Sequence, residues 1–402
     1  MKKLKFEIIF LVAYVVLLVS RIDVLTGSVF TKIDSRLIET GYIFITLAII
    51  LCDSKGVIKS SLFRIDLIVF IMVLHCLLFG KVLINSNYSK YINSQFNSQF
   101  IFCIIIVITI FGIKYFDNID RFIISSFYAM SGMLTIKVLM NISELNLKNV
   151  INVFNISERT RANFGFGHYN TLGSACLCII ILAYFIYERK KKLTIMEKCI
   201  VVEATIIMLC SASRGAITGA MVFFVIALSQ SIYKIGLPKK SIFIVNLIEV
   251  IVIVFGIYYA MGLNINELLK ESQRQHLFKE VIPLYLSSGR IVTGVGYASN
   301  LYYGEGDILG KVLWLDNAYI YYLVTTGVLG LILIVSCLII IFIYMYKHRR
   351  EEYSGIFALI CTYLYRGLFE VNLFESGYMM NYIYIPIFAY YIYIEKKHKR
   401  IG

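Results

Sequence analysis

Residues 318–350 read AYIYYLVTTGVLGLILIVSCLIIIFIYMYKHRR, an uncharged apolar run that follows Asn317 and is closed by Lys347, Arg349 and Arg350. A helix crossing ~30 Å of hydrocarbon needs ~20 residues at ~1.5 Å each, and the run from 318 to 346 exceeds that. Its basic flank is the kind that stays on the cytoplasmic side of a membrane. Outward from this segment the pattern repeats. Candidate spans lie near 6–20, 37–52, 67–79, 99–113, 122–142, 169–187, 196–211, 215–233 and 241–262 before it, and near 354–371 and 378–394 after it. The expected fold class is therefore all-α: a polytopic integral membrane protein of about twelve transmembrane helices in one domain, 1–402. The seventh and eighth spans also suit one broken hairpin around Ser213-Arg214-Gly215.

Composition agrees. The chain is 59% hydrophobic and 16% charged, unlike a soluble domain. Its 30 Tyr and 28 Phe cluster near the ends of apolar runs, as an interfacial belt requires. A net charge of +14 in a soluble protein would suggest nucleic acid; here the basic residues fall in short loops between apolar runs, so nucleic acid is set aside. The 9 Cys all lie in or beside apolar runs, which argues against a disulfide framework and a zinc site. Met1-Lys2-Lys3-Leu4-Lys5 resembles a signal n-region, but no Ala-x-Ala site follows, so the first span is read as retained.

Orientation follows from Lys and Arg. Lys2–Lys5, Lys55–Arg64, Lys114–Arg121, Arg189–Lys198, Lys234–Lys240, Lys347–Arg350 and Lys396–Arg400 fall on one side. Those segments are roughly threefold denser in Lys and Arg than the segments opposite. Both termini are thus expected in the cytoplasm. The one long segment that could not sit in lipid, 263–317, becomes an extracytoplasmic loop between spans 9 and 10. The cytoplasmic loops are too short for an ATPase or nucleotide-sugar domain, and no Walker motif is present.

The polar residues of interest then gather on the outer side. Arg214 lies between two apolar runs, where an Arg is costly. It can hold a phosphate with its planar fork, although Gly215-x-x-x-Gly219 is by itself a helix-packing pattern. Arg159 and Arg161 precede Phe164-Gly165-Phe166-Gly167-His168-Tyr169-Asn170-Thr171-Leu172-Gly173, a glycine-broken approach to a span in which His168 can titrate or donate, or simply cap. Arg274 and Arg290 lie in the long loop and suit an anionic lipid-linked substrate, or merely lipid headgroups. Asp316-Asn317 starts the tenth span, where Asp316 is either an N-cap or a general base. Arg366 and Glu370 share a helix face four residues apart, as a structural pair or a substrate contact. Glu203 and Glu249 are intramembrane carboxylates and Lys137 is a candidate partner; a proton-coupled transporter would show the same. Glu305-Gly306-Asp307 lacks a third ligand, so no metal is expected.

In order and spacing these features resemble the O-antigen polymerase (Wzy) and O-antigen ligase superfamily. The segments are Arg161-x-x-Phe164-Gly165-x-x-His168-x-Asn170-x-Leu172-Gly173, then Ser213-Arg214-Gly215, then an Arg-bearing outer loop with Gly294-x-Gly296, then Asn317 with Gly327-x-x-Gly330. They cover roughly residues 155–330. The resemblance implies a GT-C-like architecture and a bacterial cytoplasmic-membrane glycosyltransferase of capsule or exopolysaccharide biosynthesis. Such an enzyme joins oligosaccharide repeat units carried on undecaprenyl diphosphate and releases the lipid diphosphate, with no cofactor. Arg161, Arg214, Arg274 and Arg290 are implied to hold the diphosphate; His168 and Asp316 are candidates for the base. Arg159, Asn170, Asn317, Arg366 and Glu370 are candidates for substrate binding. Implied partners are the lipid-linked oligosaccharide, membrane lipids, and flippase and chain-length regulator proteins. Two departures stand out: Asp316 replaces the His that precedes the Asn in ligases, and Tyr169 replaces a frequent Pro. The alternatives are a ligase moving finished glycan to another acceptor, and a lipid-linked oligosaccharide flippase.

Overall fold

The computed structural model describes residues 2–25, 35–53, 71–72, 74–75, 89–145, 161–234, 251, 253–254, 281–287, 289–294, 317–347 and 354–398. Most of the expected spans 67–79 and 241–262, and most of the 263–317 loop, lie outside the described residues. Those described form an all-helical protein with no strand among them. Its helices are α1 (Lys2–Leu25), α2 (Ser35–Asp53), α3 (Ser89–Phe116), α4 (Ile119–Met140), α5 (Tyr169–Lys190), α6 (Ile195–Cys210), α7 (Arg214–Lys234), the short α8 (Ile282–Ser287), α9 (Ala318–Lys347), α10 (Ser354–Gly367) and α11 (Asn381–His398). Every long helix overlies one of the apolar runs named above. Phe96–Phe116, Ile119–Met140, Tyr169–Lys190, Arg214–Ile232 and Ala318–Lys347 are long and apolar enough to cross a membrane.

Two helices fall short of a full crossing. α6 has 16 residues, matching its expected span 196–211, and α10 has 14 and ends before the expected 371, against the ~20 that hydrocarbon demands. α6 gives way to a turn at 211–213, and α10 to an irregular segment at 368–380. The apolar run continues to 371, but α10 stops at Gly367 because side chains compete for its backbone. Asn372 Nδ2 donates to the Tyr363 carbonyl at 3.2 Å, and the Tyr363 hydroxyl accepts from Phe374 N–H at 2.8 Å. These bonds replace the helical ladder for a chain that has turned away.

α5 is the hub, packing on α4, α6, α7 and α10. Small residues let α5 and α7 come close. A Cβ on Gly173 would stand 2.5 Å from Ser213 Cβ and 3.0 Å from Ala216 Cβ, so only glycine fits. α11 is buried along 381–390 and packs on α3, α4 and α9. Pro386 within it has no N–H, which frees the carbonyl of Tyr382 four residues earlier. The Tyr14 hydroxyl of α1 donates to that carbonyl at 3.3 Å. Apolar side chains such as Val12, Phe44, Val202 and Ile332 cover the outside, as lipid-facing helices require.

Polar contacts sort the helix ends into two groups. At one end Arg121 pairs with Glu7, Arg189 with Asp120 and Lys190 with Glu197, while Glu188 accepts from Gly355 N–H and Tyr390 donates to Asp117. The other end collects the 161–168 segment, the 211–213 turn, the start of α9 and the 368–380 segment.

The two glycine motifs turn out to be halves of one contact. Gly327 interrupts α9 at φ 71° and ψ −176°, a region that only glycine enters readily. Beyond it, Val328 and Leu329 N–H donate to the Ile291 and Val292 carbonyls at 2.9 and 3.4 Å. A Cβ on Gly294 would run into the backbone of Thr325 and Gly327, and one on Gly327 into that of Val292. The 289–294 turn thus docks backbone to backbone on the break in α9.

Candidate functional site

The approach to α5 is shaped by backbone N–H groups that need acceptors. Glu144, in a 3-10 turn after α4, accepts from Asn163 and Phe164 N–H at 2.9 and 2.8 Å. Successive N–H groups on one carboxylate make an anion nest. Phe164, Gly165 and Gly167 have positive φ, which explains the glycines of the Phe-Gly-Phe-Gly stretch. Buried Lys137 donates from Nζ to the Gly165 carbonyl at 3.2 Å, and Ala162 N–H donates to the Cys210 carbonyl at 3.2 Å. The segment is therefore pinned to both α4 and α6.

This pinning delivers His168 to the N-cap of α5. Its Nδ1 accepts from Asn170 N–H at 3.1 Å. A neutral imidazole accepting at Nδ1 carries its proton on Nε2, so His168 presents a donor to its surroundings. The Arg161 guanidinium lies 3.9 Å from the centroid of the Tyr169 ring, a cation–π contact at the exposed start of the same helix. Asn170 Oδ1 accepts from Ser213 Oγ at 3.1 Å, which couples the start of α5 to the turn preceding Arg214, the first residue of α7.

The centre of the site is Arg366 on α10, 2% exposed. Its Nη2 donates to Glu370 Oε2 and, at 2.6 Å, to Ser174 Oγ of α5. Ser174 Oγ also donates to the Asn170 carbonyl at 2.7 Å. The stem of Arg366 fits because α7 carries Gly219 beside it, where a Cβ would stand 3.0 Å from Arg366 Cδ. Gly215, one turn earlier, lies beside Glu370, where a Cβ would stand at an ordinary 3.9 Å from Oε1. Gly219 thus makes room for the ion pair, beyond the helix approach that its spacing suggests. Arg366 Nε and Nη1 are buried with no hydrogen-bond partner among the described residues. A buried guanidinium with two unpaired donor nitrogens is costly, and its donors are fit to hold an anion.

Asn317 closes the site from α9. Its Oδ1 accepts from Ile320 N–H at 3.0 Å as an N-cap, and its Nδ2 donates to the Leu368 carbonyl at 3.1 Å. It therefore braces the turn between Arg366 and Glu370. Beyond Glu370 the 368–380 segment is largely buried, and buried irregular backbone needs partners. Gln99 of α3 supplies two, donating to the Phe374 carbonyl at 2.7 Å and accepting from Ser376 N–H at 2.9 Å. Asn381 Nδ2 donates to the Asn372 and Glu375 carbonyls at 2.7 and 2.8 Å.

Of the residues singled out in the sequence, the structure brings together His168, Asn170, Arg366, Glu370 and Asn317, with Arg161 and Arg214 on the same helix ends. Arg290, half-buried, stands apart on the turn that docks at Gly327, its carbonyl accepting from Gly294 N–H at 2.8 Å. Arg159, Arg274, Asp316, Glu249, Glu305 and Asp307 lie outside the described residues. Glu203 accepts from Thr135 at 3.0 Å, whereas Lys137 serves the 161–168 segment. Sequence reasoning missed Ser174, Tyr378 and Glu375. Tyr378 shares a hydrogen bond with Ser174. Glu375 is half-buried between α10 and α11, and desolvation pushes its carboxyl up to about 7 against the opposing hydrogen bonds of Tyr321 and Gly377. The signal was there: a second carboxylate, five residues after Glu370, in an otherwise apolar stretch. Comparison of the chain with protein-family models, with curated proteins and with solved structures gives no match.

Proposed function

We propose that the chain is a polysaccharide polymerase of the cytoplasmic membrane, with about twelve spans, a GT-C-like arrangement and both termini in the cytoplasm. It joins oligosaccharide repeat units carried on undecaprenyl diphosphate at the outer face. The growing chain leaves its carrier as the bond between the anomeric carbon and the diphosphate oxygen breaks. A hydroxyl of the next lipid-linked unit forms the new glycosidic bond and loses its proton, and undecaprenyl diphosphate departs.

The observation that supports this reading most is the convergence on one end of the bundle of Arg366, Glu370, Ser174, Asn170 and Asn317, beside the helix starts that carry Arg161, His168 and Arg214. Departure of a diphosphate calls for fixed positive charge and donors rather than a strong nucleophile. Arg366 offers two buried donor nitrogens that have no partner among the described residues, and His168 caps the start of α5 beside it. The basic cluster at the opposite end, Arg121, Arg189 and Lys190, is the flank expected in the cytoplasm, which turns this site outward. In this reading Arg274 and Arg290 of the 263–317 loop add positive charge on the outer side. Flippase and chain-length regulator proteins are the partners such an enzyme requires.

The test in cells is Arg214→Ala and Arg366→Ala at normal protein level. Loss of long polymer is expected; unchanged chain length sinks the role of the residue replaced. Attachment lost while free polymer persists would favour the ligase. Lipid-linked repeat units trapped on the inner leaflet would favour the flippase.

A further inference from the structure

The 368–380 segment carries two carboxylates into two different surroundings. Glu370 turns to Arg366 and Ser174. Glu375 turns the other way. Its carboxylate accepts from the Tyr321 hydroxyl of α9 and from Gly377 N–H, while Oε2 is buried with no hydrogen-bond partner among the described residues. The Tyr382 hydroxyl and Arg21 Nε are likewise buried without a partner among them. The three belong to one neighbourhood: the Arg21 guanidinium lies 5.6 Å from the Tyr382 ring centroid and pairs with Glu39, and Tyr382 feels the charges of Arg21, Glu39 and Glu375. Unpaired donors and an unpaired acceptor around an aromatic ring match the alternating hydroxyls of a sugar.

The two surroundings are linked. Tyr378 N–H donates to the Glu375 carbonyl at 3.2 Å, and the Tyr378 side chain shares a hydrogen bond with Ser174, which contacts both members of the ion pair. Tyr378 thus connects the chain at Glu375 to the guanidinium assigned to the leaving diphosphate.

We propose that Glu375 is the general base of the transfer, taking the proton of the acceptor sugar hydroxyl on Oε2 while Tyr382 and Arg21 hold neighbouring hydroxyls. This rests on the polymerase reading. The oxygen freed of its proton forms the bond to the anomeric carbon, and the bond to the diphosphate breaks on the Arg366 side. The carboxylate is held by Tyr321 so that its partnerless oxygen faces the acceptor. Its raised proton affinity, near 7, suits proton abstraction at neutral pH. The titratable and charged groups that face it are Tyr321 of α9, Tyr382 of α11 with Arg21 of α1 and Glu39 of α2 beyond the ring, and Tyr378 of its own segment.

The experiment follows kcat and KM of the purified full chain on a synthetic undecaprenyl-diphosphate repeat unit, from about pH 5 to about pH 9. Wild type is expected to lose rate on the acid side with a limb near 7. Glu375→Gln is expected to lower kcat by about 10²–10⁴-fold with KM little changed, and to abolish the limb; Glu375→Asp retains a limb. Tyr321→Phe removes a hydrogen bond that favours the carboxylate, so the limb moves to higher pH. A Glu375→Gln enzyme that keeps the wild-type limb overturns the proposal. If that variant does not fold, Tyr321→Phe decides: a shifted limb supports the assignment and an unmoved one overturns it. If wild type itself makes no product, the polymerase reading fails and the base assignment falls with it.

Discussion

The buried pair of Arg366 and Glu370 can be separated into what it does for the fold and what it does for the site. Their side chains are 2% and 14% exposed. Removing one partner from such a pair leaves an uncompensated charge and costs about 3–5 kcal/mol. Arg366→Ala should show that loss, and so should Glu370→Ala, which leaves Ser174 as the main partner of a buried guanidinium. Replacing both with apolar residues of similar size, Arg366→Met with Glu370→Leu, removes the desolvation penalty together with the attraction. Such exchanges are often neutral to stability or favour it by about 1–4 kcal/mol. The double variant should therefore be close to wild type, far from the sum of the singles. Equilibrium unfolding in mixed micelles measures all four proteins, and polymer length in cells measures their function. The double variant should be stable and inactive. Singles that simply add would refute the physical coupling of the pair. A stable double variant that still makes long polymer would reduce the pair to packing.

Three further outcomes follow from the geometry. Gly327→Ala should destabilise by about 2 kcal/mol or more, because alanine is disfavoured at positive φ by ~1–2 kcal/mol and its Cβ would also press on the Val292 backbone; a melting temperature equal to wild type would contradict the docking of the 289–294 turn. Glu144→Ala leaves the Asn163 and Phe164 N–H groups without their acceptor at about 1–3 kcal/mol, and hydrogen exchange should rise across 161–168 while α9 stays protected. Stability should also depend on Glu375: its folded carboxyl lies near 7 against an ordinary 4.5, so the protonated form favours the fold. That contribution is fully present below about 4.5 and is lost as pH rises toward 7, by roughly 3 kcal/mol in all. Glu375→Gln should flatten the dependence, and a variant with the wild-type pH profile of stability would assign it elsewhere.

The helices were legible because hydrophobic length is a property of consecutive residues, and the run at 318–346 announces a helix whatever surrounds it. The 161–173 stretch was legible for a related reason: its glycines mark positive φ, and its His and Asn sit where α5 begins. Arg366 and Glu370 could be paired from their spacing alone. Meetings between distant segments were not legible. Gly294 looked like a glycine of the outer loop and Gly327 like one within a span, since nothing local says that one backbone rests on the other. Ser174 reads as a small helix residue until Arg366 arrives from α10. Glu375 was passed over because the segment around it reads as the end of one span and the start of the next. Its setting depends on Gln99, Tyr321 and Asn381, brought in from three other helices.

The central claim is catalytic, and one measurement meets it directly. Purified protein in lipid nanodiscs is given a defined undecaprenyl-diphosphate repeat unit, with no nucleotide sugar and no added metal, and the products are resolved by size. The account predicts a ladder whose steps equal one repeat unit, with one undecaprenyl diphosphate released per step and no ladder from Arg366→Ala. Intact substrate after prolonged incubation with folded wild-type protein would contradict it.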